Sequence, residues 1–539
     1  MAWIAAGVWL VGGLLRIYRF ARFFQIEEYQ AKRFFHWLID NKQRWGWRRP
    51  VIAWSGALVL SVLLAETENV WVLTIIYVIA AGVAIWPPRE TEVKKKFVRT
   101  QRATRLLMTS FLLYGAVSGL AYLLLAGIAS ALFVFVAVTG AGLLLFLLAP
   151  LFLIAGNVAV QPVEAGMRRL YLRRARGVLH RLQPTVIGIT GSYGKTSTKH
   201  YLAHILNGRY NTVATPKSYN TLMGVTLAIN TVLQEQTSVD YFLVEMGAYI
   251  EGEIAEICGL AQPQISIVTA VGPQHLERFG SLDAVANAKY EIVDALPSDG
   301  VAILNGDDGR VAAMAEWAAV AQTVLVSQDE DTNEGTRALF AKNIQETADG
   351  LSFDVVETQT GAERHFHAPL YGRHTVTNLL LATAAARQVG ISLGEIAMRV
   401  AGLEPFEHRL ARKIQPGGLI VLDDAYSANP VGAANALRVL GLHESGKRIV
   451  ITPGMVELGA VQDDENRKLG EVATAYATDI VLVGIEQTRP IYEGVRSTTF
   501  TEDHLHVFAT HAEAVNWLRE NAQAGDTVLF LNDLPDTYL

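Results

Sequence analysis

Charge is scarce in this chain. Only 18% of its 539 residues are Asp, Glu, Lys or Arg, against 51% hydrophobic, and the mean hydropathy is +0.24. A chain this apolar can bury enough surface to offset its ordering entropy, which excludes intrinsic disorder. Acidic residues are scarcest in the first third: residues 1–182 hold 8 Asp and Glu against 22 Lys and Arg, whereas residues 183–539 hold 44 against 24. The two parts carry +14 and −20, so the formal −6 of the whole describes neither and a uniform soluble globule is excluded. Cysteine is nearly missing. Cys258 stands alone, so no intrachain disulfide can form, and its apolar surroundings mark it as a core residue.

The longest charge-free run lies between Arg105 and Glu164, 58 residues in all. At 1.5 Å per helical residue it far exceeds a hydrocarbon core of ~30 Å, which predicts two spans, 106–126 and 131–154, joined by a turn at 127–130. Residues 69–88 predict a further span, closed by the Pro87–Pro88 breaker. The shorter runs 2–15 and 51–65 bring the expectation to about five transmembrane helices within a membrane region of residues 1–164. Loop charge agrees, since segments 16–49, 89–105 and 168–181 contain nine, seven and six basic residues while the turns at 66–68 and 127–130 contain none. Basic loops stay on the cytoplasmic side, so the reading is a multi-pass cell-membrane protein whose chain after about residue 160 is cytoplasmic. Residues 16–49 interleave Phe20, Phe24, Trp37 and Trp45 with Arg and Lys, the pattern of an interfacial helix against anionic headgroups. Membrane lipids, not nucleic acid, are therefore the expected partner. Residues 165–184 read as a basic linker.

From Thr185 onward, short β-branched runs alternate with helical segments, which predicts an α/β fold with a largely parallel sheet. The first unit is strand 185–190 (TVIGIT), a turn at 191–195 and a helix from Thr196. Gly191, Ser192 and Gly194 would let backbone N–H groups approach phosphate oxygens; Lys195 would reach the terminal phosphates, and Thr196, followed by Ser197, would offer a hydroxyl to Mg²⁺. The strict eight-residue signature would need a glycine at Ile189, so only its shorter form is present. Strand 240–246 ends near Glu245, and strand 264–270 leads to His275. Carboxylate and imidazole groups at the carboxyl ends of parallel strands stand where such sheets bind ligands, and both could join a metal site.

These residues resemble the Mur ligases, and most closely the MurF type. The resemblance is carried by TGSYGKTSTK (190–199), LVEMGAYIEGEIAEI (243–257), VTAVGPQHLERFGSLDAVANAKYEI (268–292), LNGDD (304–308), GRHTVTNLLLATAAA (372–386) and LDDAYSANP (422–430). It implies a P-loop central domain at 185–402 and a Rossmann-like α/β C-terminal domain at 405–539, with a hinge at 402–407. It implies an ATP-dependent, ADP-forming ligase of peptidoglycan precursor synthesis, joining a cell-wall precursor carboxylate to an amino acid or dipeptide amine through an acyl phosphate. By position it implies that Thr196, Glu245, His275 and Lys289 serve two Mg²⁺ ions, Lys289 matching the lysine that this family often carbamylates. His374 and Asn378 would contact the nucleotide, Arg409 its phosphates, Asp423 or Asp424 the ribose, and Tyr426 and Asn429 the base region. Lys195, Lys289, His275 and Arg409 form the implied catalytic set.

Three features depart from the family pattern. Membrane spans replace the soluble domain that holds uridine diphosphate in MurF enzymes, which points to a lipid-linked or otherwise amphiphilic acceptor as an alternative. Gly454 in PGMVELG (453–459) stands where the family has a carboxylate, and the family's KGS ending is replaced by TVLFLNDLPDTYL (527–539). In addition, FEHRL (406–410) is similar to the D-glutamate-adding relatives. A polyglutamate-type or cyanophycin-type ligase and a nucleotide-binding switch that joins nothing remain the competing readings.

Overall fold

The computed structural model describes residues 2–27, 29–40, 48–64, 69–86, 97–127, 131–216, 219–272, 276–320, 322–328, 338–404, 410–424, 430–456 and 462–531. The chain divides into two compact units, Met1–Leu170 and Tyr171–Leu539.

The first unit is helical. Its helices are Ala2–Ile26, Ala31–Asp40, Arg48–Leu63, Val70–Ile85, Gln101–Leu125, Ala131–Leu148 and the start of Leu151–Leu182. Among the described residues, Ala2–Ile26 and Gln101–Leu125 are long and apolar enough to cross a membrane. A third crossing requires Leu132–Leu148 and Leu151–Leu182 together, and these are bent by 68°. The expected single span at 131–154 is thus broken: Pro150 has no N–H for an i→i−4 bond and its ring crowds the preceding turn. A second difference concerns residues 16–26. They were expected in an interfacial segment, yet no breaker follows Leu15 and they extend the first helix to 25 residues. Only Ala31–Asp40 forms a separate amphipathic helix, with Phe34 against Phe24 at 4.9 Å and Trp37 stacked on Phe23 at 4.4 Å between ring centroids. Residues 165–182, expected as a linker, lie in the helix that ends at Leu182, where Gln183 takes a left-handed conformation.

Small residues let the helices of this unit approach closely. A Cβ on Gly13 would strike the Tyr114 hydroxyl, and one on Gly142 would lie 2.8 Å from the Trp9 ring. Arg16 is buried, its guanidinium 4.6 Å from the Phe146 ring centroid. Arg105 pairs with Glu164 at 2.7 Å, so the two charges that bound the uncharged run neutralise each other.

The second unit contains two sheets. The first comprises β1 (Thr185–Thr190), β2 (Thr212–Ala214), β3 (Tyr241–Glu245), β4 (Ile265–Val268), β5 (Val301–Asn305), β6 (Gln322–Ser327), β7 (Leu339–Thr347), β8 (Gly350–Glu357) and β9 (Ala362–Ala368), in the order β2-β3-β1-β4-β5-β6-β7-β8-β9. Pairing is parallel from β2 to β7 and antiparallel through β8 and β9. The parallel strands are Val- and Ile-rich because both their faces are covered. On one face lie helix Lys195–Asn207, through Leu202, Ile205 and Leu206, and helix His374–Gln388, whose Leu379, Leu380 and Leu381 are all buried. On the other, Ala175 and Val178 of the helix ending at Leu182 pack in one cluster with Val225, Ile229 and Leu233. That seat is fixed by two backbone acceptors, with Asn230 Nδ2 donating to Tyr171 O and Arg181 Nη2 to Gln234 O, each at 2.9 Å.

The second sheet comprises β10 (Ala411–Ile414), β11 (Ile420–Asp424), β12 (Arg448–Thr452), β13 (Asp479–Val483), β14 (Leu505–Phe508) and β15 (Thr527–Leu531), ordered β10-β11-β15-β12-β13-β14. All pairs except β10–β11 are parallel, as expected for a Rossmann-like domain.

Candidate active site

The loop after β1 is shaped by two glycines in the left-handed region, Gly191 (φ +144°) and Gly194 (φ +83°). A side chain would be doubly penalised there, because a Cβ on Gly191 would strike Thr269 Oγ1 and one on Gly194 would strike Asn378 Oδ1. The loop sits on the carboxyl end of β4: Ser192 N donates to Ala270 O at 2.7 Å, and the Ser192 hydroxyl donates to Gly272 O at 3.1 Å. Lys195 then opens helix Lys195–Asn207 and curls back over the loop, donating to Gly191 O at 2.5 Å and Ser192 O at 3.1 Å. Burial pushes its pKa down, opposed by the charge of Glu245. Ser197 lies in the same first helical turn.

Glu245 closes β3, next to Ile189 of β1. Its carboxylate is buried and held from several sides: Thr196 Oγ1 donates to Oε2 at 3.0 Å, Lys199 Nζ to Oε2 at 2.9 Å and Asn220 Nδ2 to Oε1 at 3.2 Å. Lys199 also donates to Thr215 O at 2.8 Å, while the Thr215 hydroxyl accepts from Glu245 N at 3.1 Å. Sequence reading assigned no role to Lys199, Thr215 or Asn220. Only Lys199 left a trace, lying four residues beyond Lys195 and hence on the same helical face.

Lys289, on helix Leu282–Asp294, is 3% exposed and its ammonium lies 5.8 Å from the Phe279 ring centroid. Burial, and then the charge of Lys195, lower its pKa to about 8 against the opposing pull of Glu291 and Glu253. Asn378 joins the loop through Thr198, whose hydroxyl lies 3.3 Å from Asn378 Oδ1. The acidic pair of the LNGDD motif is held by hydrogen bonds within the fold. Asp308 caps helix Gly309–Trp317 and accepts from Val271 N at 2.8 Å, while Asp307 accepts from Ser327 Oγ at 2.6 Å.

His374 faces a different space, a cleft of about 520 Å³ between the two sheets' domains, lined also by Ile344, Glu346, Leu351, Asn435 and Arg438. Surrounding protein lowers the His374 pKa even though part of the ring opens onto the cleft. Asp423 and Asp424 end β11, and Asp424 Oδ1 accepts from Leu410 N at 3.1 Å. Four of the expected site residues, His275, Arg409, Tyr426 and Asn429, lie outside the described residues, as does half of the expected hinge. Among the described residues no three His, Cys, Asp or Glu side chains converge. The Glu245 carboxylate and Thr196 hydroxyl nonetheless suit Mg²⁺, which takes few protein oxygens and completes its shell with water and phosphate. Gly454, at the departure from the family pattern, has φ +85°.

A glycine loop between a parallel strand and a helix, a buried carboxylate beside it and a second α/β domain across a cleft give the architecture of a two-domain P-loop protein. Residues 189–386 match the Mur ligase middle domain, and residues 408–532 match the Mur ligase glutamate ligase domain. The UDP-N-acetylmuramoyl-tripeptide--D-alanyl-D-alanine ligase of Escherichia coli is 34% identical over 320 residues, covering 59% of this chain and 68% of that protein. The enzyme of the same name from Mycobacterium leprae is 32% identical over 379 residues, covering 64% and 70%. Among solved structures, MurF from Acinetobacter baumannii superposes with a TM-score of 0.57 at 27% identity, over 68% of this chain and 76% of that one. The chain belongs to the Mur ligase family. It is an ATP-dependent, ADP-forming acid–amino-acid ligase.

Proposed function

We propose that this chain is a membrane-anchored ligase of MurF type that joins a peptidoglycan-precursor carboxylate to an amine, D-alanyl-D-alanine or a similar small peptide, at the cytoplasmic face. The observation that supports this most is the convergence of Lys195, Thr196 and Glu245 at the carboxyl ends of β1 and β3.

A carboxylate is a poor electrophile at neutral pH. In the proposed reaction a carboxylate oxygen attacks the γ-phosphorus of ATP and ADP leaves. The amine then attacks the acyl carbon, phosphate leaves with the C–O bond electrons, and the amide nitrogen loses its proton. Lys195 swings from the loop carbonyls onto the phosphate oxygens, and the loop N–H groups stabilise charge as it moves to the leaving group. Thr196 and Glu245 would hold Mg²⁺, with His275 in the same set. When bound, Mg²⁺ neutralises the phosphate oxygens. As a carbamate Lys289 would support a second ion: with a pKa lowered to about 8, roughly a tenth of its amine is neutral at pH 7 and could add CO₂. His374 and Asn378 would line the nucleotide site, with Arg409, Asp423 or Asp424, Tyr426 and Asn429 contributing from the C-terminal domain.

The apolar helices before residue 171 would anchor the enzyme as a multi-pass protein. Arg168, Arg169, Arg173, Arg174, Arg176 and Arg181 are exposed along one helix, and this basic surface suits anionic headgroups. A second reading, a lipid-linked acceptor, is favoured by the start of the family match at residue 189, which is preceded in this chain by helices apolar enough to cross a membrane. The test is an assay of detergent-purified protein with ATP, Mg²⁺, D-alanyl-D-alanine and either the UDP-linked tripeptide or its lipid-linked counterpart. Amine-dependent phosphate release with a new amide by mass spectrometry is expected. Phosphate release that never depends on an amine, with no amide formed, would overturn the ligase reading.

A further inference from the structure

The end of the β7–β8 hairpin carries two carboxylates, Glu346 and Asp349, and both meet arginines of the C-terminal domain. Glu346 Oε2 accepts from Arg438 Nη2, which also donates to Asn435 Oδ1 at 2.9 Å; both partners lie on helix Pro430–Gly441. Asp349 Oδ1 lies 3.1 Å from Arg412 Nη2 on β10. The two pairs are unequal. Asp349 is 74% exposed at its side chain and its attraction is screened, whereas Glu346 is 11% exposed and keeps most of its own.

Glu346 has a second task. Its other oxygen, Oε1, accepts from Gly372 N at 2.7 Å. Gly372 has φ +88°, and a Cβ there would lie 2.5 Å from the His374 ring, so this turn fixes where helix His374–Gln388 begins and where the His374 ring stands. Next to it, Tyr371 packs among Leu422, Ala433 and Leu437 of the C-terminal core and donates its hydroxyl to Ala348 O at 2.6 Å. One carboxylate thus ties the turn before His374 to the opposite wall of the cleft that His374, Asn435 and Arg438 share.

We propose that Glu346 is a positioning residue that couples closure of the C-terminal domain to the placement of His374. Its bond to Gly372 is internal to the central domain and persists through any domain motion. Its bond to Arg438 crosses the cleft and exists only when the cleft is closed. A ligand in the cleft and the clasp therefore favour the same closed state, and each strengthens the other by linkage. The proposal rests on the reading of this cleft as the nucleotide site.

The substitution Glu346→Gln separates the two tasks, because an amide oxygen still accepts from Gly372 N while the charge toward Arg438 is lost. The experiment uses the full chain in nanodiscs, spin-labelled after Thr237→Cys and Glu520→Cys at exposed sites of the two domains. Cys258 is buried, with its thiol pushed up to about 12, and stays unlabelled. Glu346→Gln should broaden the interdomain distance distribution and weaken binding of a fluorescent ATP analogue by about tenfold. Arg438→Gln should do the same, and the double variant should be no worse than either single one. Unchanged distances in Glu346→Gln, or effects that add in the double variant, would overturn the proposal. If the wild type binds no analogue while the distances respond as stated, the nucleotide reading falls and the clasp stands.

Discussion

The ammonium of Lys199 lies 2.9 Å from Glu245 Oε2, and both side chains are sealed from solvent beside the phosphate loop. Lys199 is held in turn by Thr215 O, and Glu245 by Asn220 Nδ2. Glu245 enters as a buried anion whose position is set by one cation and by the hydroxyl of Thr196.

Removing the cation alone should be costly. Lys199→Met leaves Glu245 as an uncompensated buried charge and should lower unfolding stability by about 3–5 kcal/mol. Replacing both members, Lys199→Met with Glu245→Leu, should cost less than the single change. Denaturant titration of the two variants decides this, and equal costs would contradict the pairing argument.

Lys195 should separate activity from stability. Its described bonds go to two carbonyls of its own loop. Lys195→Ala should leave the unfolding midpoint within the scatter of the wild type and reduce phosphate release by roughly 10²–10³-fold or more. Turnover close to wild type would show that the loop does not hold the phosphates.

Lys289 makes stability depend on pH in the alkaline range. Its folded pKa, about 8, lies below the ordinary lysine value of 10.5, so between these two pH values the unfolded chain holds a proton that the folded chain has lost. Stability contributed at this site therefore rises as pH rises from 8 to 10.5. The burial penalty below pH 8 is on the order of 3 kcal/mol, and Lys289→Met should remove it. Denaturant midpoints at pH 7.5 and 9.5, with carbonate excluded, should rise with pH more steeply in the wild type than in Lys289→Met; parallel lines would refute the assignment.

Restoring the family's carboxylate should not restore a family function. Gly454 has φ +85°, and a Cβ there would lie 3.0 Å from both Asn466 Oδ1 and Ile491 Cδ1. Asn466 cannot easily yield, since it holds Met455 by accepting from its N–H and donating to its carbonyl, each at 2.8 Å. Gly454→Asp should therefore lose about 1–2 kcal/mol. An unchanged unfolding curve would show that this turn relaxes freely.

The membrane reading has its own test. Protein expressed in bacteria should resist release by high salt or alkaline carbonate and come out only in detergent. Release by carbonate would contradict integral spans.

Local chemistry made much of this legible. The phosphate loop is contiguous, so glycines, lysine and hydroxyl announce themselves in order, whereas the break after Leu148 falls inside the single span expected at 131–154 and shows only in the structure. Continuity of the first helix through Ile26 was missed because its basic and aromatic residues read as an interface, whereas packing buries Arg16 against aromatic rings.

By itself the sequence determined the division of charge, +14 against −20, the apolar run of 58 residues and the loop chemistry. Each follows from neighbours along the chain. Tertiary structure decided what meets those residues: Lys199 finds Glu245 across 46 positions, and Glu346 finds Arg438 across 92. Such pairs leave no periodicity in the chain, because they are chosen by the register of parallel strands and the approach of two domains.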